Sequence, residues 1–284
     1  MKRLGEADMV TEALDLRFRS VTNPAPNALS VAQIDHYNRQ GFVQPFDVFT
    51  AEEMLTVRAY IDDLITAMGE AGSYGINCYQ ARLAGLYDLC REPRILDLVE
   101  DLIGPNIICW ATAILSKAPG EARSVPWHQD ASFWALSPAR TVTIWLAIDD
   151  VDEANAAMQF IPGTHDRGAI AVQQTGGEAV FHQETVGAEE MGTPFTNTLR
   201  AGQVSLHADM LVHGSGPNTS ARRRCGLTLR YCPPEVEITN PDWAVGVEAI
   251  QCRGSDPTGR WHLHQRPEND DIRATSSPRA LGNN

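Results

Sequence analysis

Apolar and polar positions change rhythm along this chain. In residues 50–68 the apolar positions are Met54, Val57, Ile61, Leu64, Ile65 and Met68. That three-to-four spacing predicts an amphipathic helix with one buried stripe. Thr50 and Glu53 stand in capping-box relation at its start. Ser30 is placed to cap a shorter helix through about residue 39, stopped by Gly41. Residues 42–46 then read as a strand. A further amphipathic helix spans about Pro93–Ile103 and stops at Gly104. From residue 107 to 231 the helical period gives way to short β-rich runs separated by Gly, Pro and Asn. Such a series fits an antiparallel sandwich or barrel better than βαβ units, with the helical part covering one sheet.

Composition narrows the class. The chain has 284 residues, 43% hydrophobic and 21% charged, with a net charge of −13. That length permits a large buried core. The acidic balance opposes binding to nucleic acid, which needs a basic face, and to anionic membranes. An anionic small molecule stays compatible, since a few arginines can dominate a pocket. No run of about 18 apolar residues predicts a membrane span. The basic start, Met1-Lys2-Arg3, is not followed by an apolar segment, so no secretory signal is expected. Six cysteines without a CxxC pair read as buried hydrophobes in a reducing cytoplasm. Residues 1–28 read as a loosely packed arm, 29–235 as the main folded domain, and 236–284 as a polar segment of the same domain wrapping its outside.

The chemistry concentrates around Trp127-His128-Gln129-Asp130. On a strand, residues i and i+2 share a face, so His128 and Asp130 point together and Gln129 points away. His213 ends an apolar strand, and Arg224 opens the next one eleven residues later. Two imidazoles and one carboxylate can hold one face of a metal and leave positions open, the facial triad of non-haem Fe(II) oxygenases. A lone H-x-D pair also occurs as a hydrogen-bonded surface pair. The neighbouring strand-like runs and the downstream arginine separate this case from that one.

The same segments carry a family resemblance. They are Trp127-His128-Gln129-Asp130, Trp145-Leu146-Ala147-Ile148-Asp149-Asp150, the stretch from Asn155 to Pro162-Gly163-Thr164-His165, and His213-Gly214-Ser215-Gly216-Pro217-Asn218 through Arg224 to Tyr231. Together they resemble the phytanoyl-CoA dioxygenase family of Fe(II)/2-oxoglutarate oxygenases over about residues 30–235. The resemblance implies a mainly β fold with flanking helices, the double-stranded β-helix or cupin-like jelly roll. It implies His128, Asp130 and His213 as iron ligands, with 2-oxoglutarate and O2 as cosubstrates, succinate and CO2 as products, and hydroxylation of a small molecule. Halogenases of the family replace the carboxylate with Ala or Gly. Asp130 therefore favours hydroxylation here.

Arg224 is the candidate for the distal carboxylate of 2-oxoglutarate, since a planar guanidinium can form two parallel bonds. Arg222 and Arg223 beside it read as solvated. Thr143 and Trp145 share a strand face that either lines the cosubstrate pocket or packs in the core. His165 reads as a hydrogen-bond partner near the site or a turn-fixing residue, His207 as structural, and His262 with His264 as a solvent-facing pair. Tyr74, Tyr79, Arg82 and Tyr87 form a candidate lid. Phe133 and Trp134 are candidate substrate contacts. Arg123 and Arg140 flank the ligand strand and suggest an anionic substrate, a phosphonate or carboxylate. A natural-product substrate, a cupin-like metalloenzyme without 2-oxoglutarate, and a jelly-roll binding module with a decayed site are the alternatives.

Overall fold

Ser30 and Thr50 begin their helices where the capping signals place them. In the computed structural model, which describes residues 14–176 and 178–275, α1 runs Val31–Gln40 and α2 Ala51–Met68. Complete capping boxes, Ser30 with Gln33 and Thr50 with Glu53, satisfy donors that a helix start leaves bare. Gly41 ends α1 with φ +83°, a left-handed conformation that favours glycine. Helices α3 (Ala84–Cys90) and α4 (Pro93–Ile103) follow. No helix among the described residues is long and apolar enough to cross a membrane.

The main strands form a six-stranded and a four-stranded antiparallel sheet, beside two small two-stranded ones. In chain order they are β1 (Phe42–Asp47), β2 (Ile107–Lys117), β3 (Val125–His128), β4 (Val142–Ala147), β5 (Gln159–Phe160), β6 (Phe195–Thr196), β7 (Gln203–Ala208), β8 (His213–Ser215), β9 (Arg224–Cys232) and β10 (Ile250–Arg253). The large sheet has the order β1-β7-β4-β9-β2-β10 and the small one β3-β8-β5-β6. Phe42, Trp145 and Ala147 of the large sheet pack with Phe160 of the small one. This is the jelly-roll architecture.

Alternation along the large sheet sorts its two faces. Ile144 and Leu146 of β4, Leu206 of β7, and Leu227 and Leu229 of β9 join Ile61, Leu86, Ile95 and Val99 of the helices in one core. The intervening residues, Thr143, Trp145, His207, Thr228 and Arg230 among them, line a cavity on the other face. The helices thus seal one side of the sheet and leave the other side for chemistry.

Residues 14–28 and 250–261 are better integrated than their composition suggests. Residues 14–28 lie against the body, with Leu16 buried. The buried Asp101 carboxylate of α4 accepts the backbone amides of Asn27, Ala28 and Leu29. Downstream, Ile250–Arg253 pairs with β2 and completes the large sheet, and Trp261 is buried with its indole N–H on the Val236 carbonyl. The polar stretch is therefore an edge strand and a plug as well as a wrapping. Apolar residues spaced among polar ones supply both contacts.

Candidate metal centre and cavity

Strand β3 ends at His128, and Gln129 continues extended at φ −105°, ψ 120°. Asp130 opens a short 3-10 turn, Asp130–Phe133, so the strand carries only the first half of the H-x-D pair. The alternation survives because Gln129 is tied to the opposite side. Its Nε2 donates to the carbonyls of Gly168 and Met210, and its Oε1 accepts the Ile170 amide, each at 2.9 Å. His128 and Asp130 are left facing the cavity together.

His213 opens β8 where the sequence suggests it would end a strand. The chain leaves the large sheet at Ala208, turns, and crosses to the small sheet before His213. One straight strand cannot serve both sheets. On β8, His213 pairs in register with His128 of β3, and the ring centroids lie 4.1 Å apart. His128 Nε2 is 3.5 Å from Asp130 Oδ1. One ligand atom each from His128, Asp130 and His213 lies within 4.8 Å of the others, and all three residues are buried.

The backbone sets the tautomers. His128 Nδ1 lies 2.8 Å from the Pro126 carbonyl, and His213 Nδ1 lies 2.9 Å from that of Leu211. A carbonyl only accepts, so each Nδ1 carries the proton and each Nε2 keeps a free lone pair. This orienting contact is the one that metal-bound histidines use. Burial, with His128 beside it, holds the His213 pKa well below the ordinary histidine value, so the ring is neutral. Burial alone would raise the Asp130 carboxyl, but Arg230 and the neighbouring imidazoles outweigh it and hold it below the usual carboxylate range. Two imidazole nitrogens and one carboxylate on one side of an open cavity suit Fe(II).

The cavity has a volume of about 480 Å³, in the range of small-molecule sites. Arg224 enters it from the start of β9. It is 2% exposed, and among the described residues it has no ion-pair partner. One terminal nitrogen donates to Ser215 Oγ at 3.1 Å, and Nε has no partner. Its guanidinium lies 5.8 Å from the Trp145 ring centre. Buried cations are normally paired, so this one fits an incoming carboxylate. Lys117, opposite Arg224 in register, donates to the carbonyls of Ser215 and Gly216. Burial and the adjacent Arg224 bring its pKa down to about 7.

Arg222 pairs with Asp152, and Arg223 with Asp149 and Asp62. Neither lines the cavity, and Arg223 is held by ions rather than freely solvated. Thr143 and Trp145 both line it, and the Thr143 hydroxyl has no partner. Gly226 explains how Trp145 fits. A Cβ there would lie 2.1 Å from the indole Cζ2. Gly226→Ala is therefore expected to destabilise the fold by about 1–3 kcal/mol through overpacking and to weaken 2-oxoglutarate binding by tilting the ring beneath Arg224. Thermal melts and a 2-oxoglutarate titration check both effects.

The other candidates divide. Tyr74, Phe133 and Trp134 line the cavity, but Tyr79 and Tyr87 are buried in the helix-side core and Arg82 is bonded to Glu248. Of the candidate lid residues, Tyr74 is the one that lines the cavity. Arg123 borders the cavity but is bound to Glu121 and stacked on Tyr74. Arg140 lines a separate cleft. His165 fixes a turn, with Nε2 on the Asn38 carbonyl and its ring against Phe18. His262 and His264 face each other outside the cavity lining. His207, read from sequence as structural, lines the cavity 4.9 Å from the His213 ring, with neither ring nitrogen partnered. Arg230 was not singled out from sequence and also lines it.

Comparison with known proteins gives a consistent picture. Residues 37–226 match the family described as phytanoyl-CoA dioxygenase (PhyH). An L-proline trans-4-hydroxylase of Streptomyces griseoviridis is 28% identical over 50% of this chain and 61% of its own length. A probable alpha-ketoglutarate-dependent hypophosphite dioxygenase of Stutzerimonas stutzeri is 32% identical over 50% of this chain and 51% of its own. The chain thus spans about half to three-fifths of these curated relatives. Among solved structures, the non-heme monooxygenase ThoJ in its apo form superposes with a TM-score of 0.70 at 28% identity, covering 84% of this chain and 90% of that one.

Proposed function

This chain belongs to the phytanoyl-CoA dioxygenase family of Fe(II)/2-oxoglutarate-dependent oxygenases, and we propose that it hydroxylates an unactivated C–H bond of a small polar metabolite bearing a carboxylate or phosphonate. The observation that carries the reading is the buried triad of His128, Asp130 and His213 facing a cavity that also holds the unpaired Arg224. Fe(II), 2-oxoglutarate and O2 are the cofactor and cosubstrates. When bound, the iron couples oxidative decarboxylation of 2-oxoglutarate by O2 to hydroxylation of the substrate, with succinate and CO2 as products.

His128 and His213 would hold the metal through Nε2, and Asp130 through its carboxylate. The Pro126 and Leu211 carbonyls fix the two rings and remove the need to reorganise on binding. Arg224 receives the 5-carboxylate of 2-oxoglutarate, with Ser215 beside it and Trp145 beneath. Phe133, Trp134 and Phe181 wall the cavity, limit water, and orient the reacting carbon. A metalloenzyme that ignored 2-oxoglutarate would have no use for a buried, uncompensated guanidinium at this point. The free, buried state of all six cysteines supports a reducing, cytoplasmic setting.

Succinate release across a panel of small acids under Fe(II) tests the reading. At least one amino acid, hydroxy acid or phosphonate is expected to raise succinate formation and gain one oxygen atom by mass. Succinate formation that no acid stimulates, with stimulation by apolar polycyclic compounds, would move the assignment to a natural-product substrate.

A further inference from the structure

Three polar side chains stand in one row across three neighbouring strands. His207 of β7 and Arg230 of β9 both pair in register with Thr143 of β4. Paired residues of an antiparallel sheet share a face, and all three line the cavity. Their polar atoms lack partners: both ring nitrogens of His207, the Thr143 hydroxyl and Arg230 Nε. Among the described residues, Arg230 makes no hydrogen bond. Its one ion-pair contact, to Asp130 Oδ2 at 3.8 Å, is too long to be one. Its guanidinium rests 5.2 Å from the Trp134 ring centre. Buried polar atoms are almost always satisfied, so a row of unsatisfied ones signals a missing ligand.

We propose that Arg230, with His207 and Thr143, is the subsite that binds the oxyanion of the substrate and sets which carbon meets the metal. The inference rests on the oxygenase reading above and names the chemistry that selects its substrate. Arg230 and Arg224 lie on the same face of β9, six residues apart, or about 20 Å along a strand. One small dianion anchored at the triad therefore does not use both. With Arg224 committed to the cosubstrate, Arg230 serves a second anion. A carboxylate or phosphonate matches the guanidinium fork, and Thr143 and His207 each add a donor. Arg123 is already neutralised by Glu121, whereas the carboxylate nearest Arg230 is the metal-ligand candidate Asp130 at 3.8 Å, so Arg230 is the cation of this part of the cavity left to bind a further anion. Because Arg230 adjoins Asp130, an acid held there presents a carbon close to its acid group.

The test uses the full chain loaded with Co(II) and 2-oxoglutarate, so that binding is read without turnover. Butyrate, propylphosphonate and neutral butyramide are titrated by calorimetry, with the Co(II) visible bands as a second readout. Wild type is expected to bind at least one of the two acids and not the amide, and the preferred acid distinguishes carboxylate from phosphonate. Arg230→Gln should weaken acid binding about 30-fold or more, with Arg230→Lys restoring part of it. The 2-oxoglutarate affinity of both variants should match wild type, which also shows that they fold, and Co(II) affinity should change far less than acid affinity. Failure of both acids to bind, equal binding of acid and amide, or undiminished acid binding in Arg230→Gln would each overturn the proposal. So would a loss confined to Co(II) affinity, which would make Arg230 a support for Asp130. If wild type itself takes up no Co(II) or 2-oxoglutarate, the oxygenase reading fails instead.

Discussion

Asp130→Ala is expected to bring hydroxylation to background and to lower Fe(II) affinity by at least about 100-fold. Removal of groups that merely orient metal ligands typically costs about 10–100-fold, and Asp130 is the sole carboxylate of the buried triad. Its loss leaves two imidazole nitrogens near Arg230, whose positive charge then repels a metal cation with no carboxylate between them to offset it. Chlorination is not expected to appear in its place, since a halide site also needs surrounding donors arranged for it. Iron content after anaerobic loading, together with product formation, checks this. Wild-type iron affinity with intact hydroxylation would remove Asp130 from the ligand set.

Arg224→Gln is expected to raise the KM for 2-oxoglutarate about 30-fold or more while iron binding stays near wild type. Breaking a buried charge pair costs about 2–5 kcal/mol, and each 1.4 kcal/mol is tenfold. Glutamine can keep a bond to Ser215 but brings no charge. The neighbouring arginines supply the control. Arg222→Gln breaks an exposed pair with Asp152 and should change little. Arg223→Gln breaks the contacts to Asp149 and Asp62 and should lower stability without altering the 2-oxoglutarate KM. A normal KM in Arg224→Gln, with a large rise in either neighbour, would relocate the cosubstrate site.

Features set by local chemistry were readable from the chain. The capping boxes at Ser30 and Thr50 mark two helix starts because their partners lie three residues away. The metal triad was readable because two of its members lie two residues apart in sequence and the third heads a distinctive turn. Arg224 was chosen over Arg222 and Arg223 by its family-like spacing from His213, and in the structure it opens β9, whose alternation turns it to the cavity. That same alternation exposes what was overlooked. Counting by twos from Arg224 reaches Thr228 and Arg230, and counting back from Thr143's partner strand reaches His207. Both signals are present in the sequence, but the polar members of an apolar strand matter only once the sheet has a known inner face. The tyrosines misled for a related reason. Tyr79 and Tyr87 flank Leu83 and Leu86, and whether such rings close a cavity or fill a core depends on partners far away in the chain. The break before His213 was hidden because a crossing between sheets is a tertiary event. Residues 1–13, expected to be part of a loose arm, lie outside the described residues.

The most direct test is an anaerobic titration of Fe(II)-loaded protein with 2-oxoglutarate, followed by the visible charge-transfer absorption of a 2-oxo acid chelated to Fe(II). Iron held on one face by His128, Asp130 and His213, with Arg224 as the distal anchor, predicts a band that saturates at one 2-oxoglutarate per iron. The same band should need far more 2-oxoglutarate in Arg224→Gln, and it should be lost in Asp130→Ala at the same iron and protein concentrations. Iron-loaded wild-type protein that develops no band at any 2-oxoglutarate concentration would contradict the assignment.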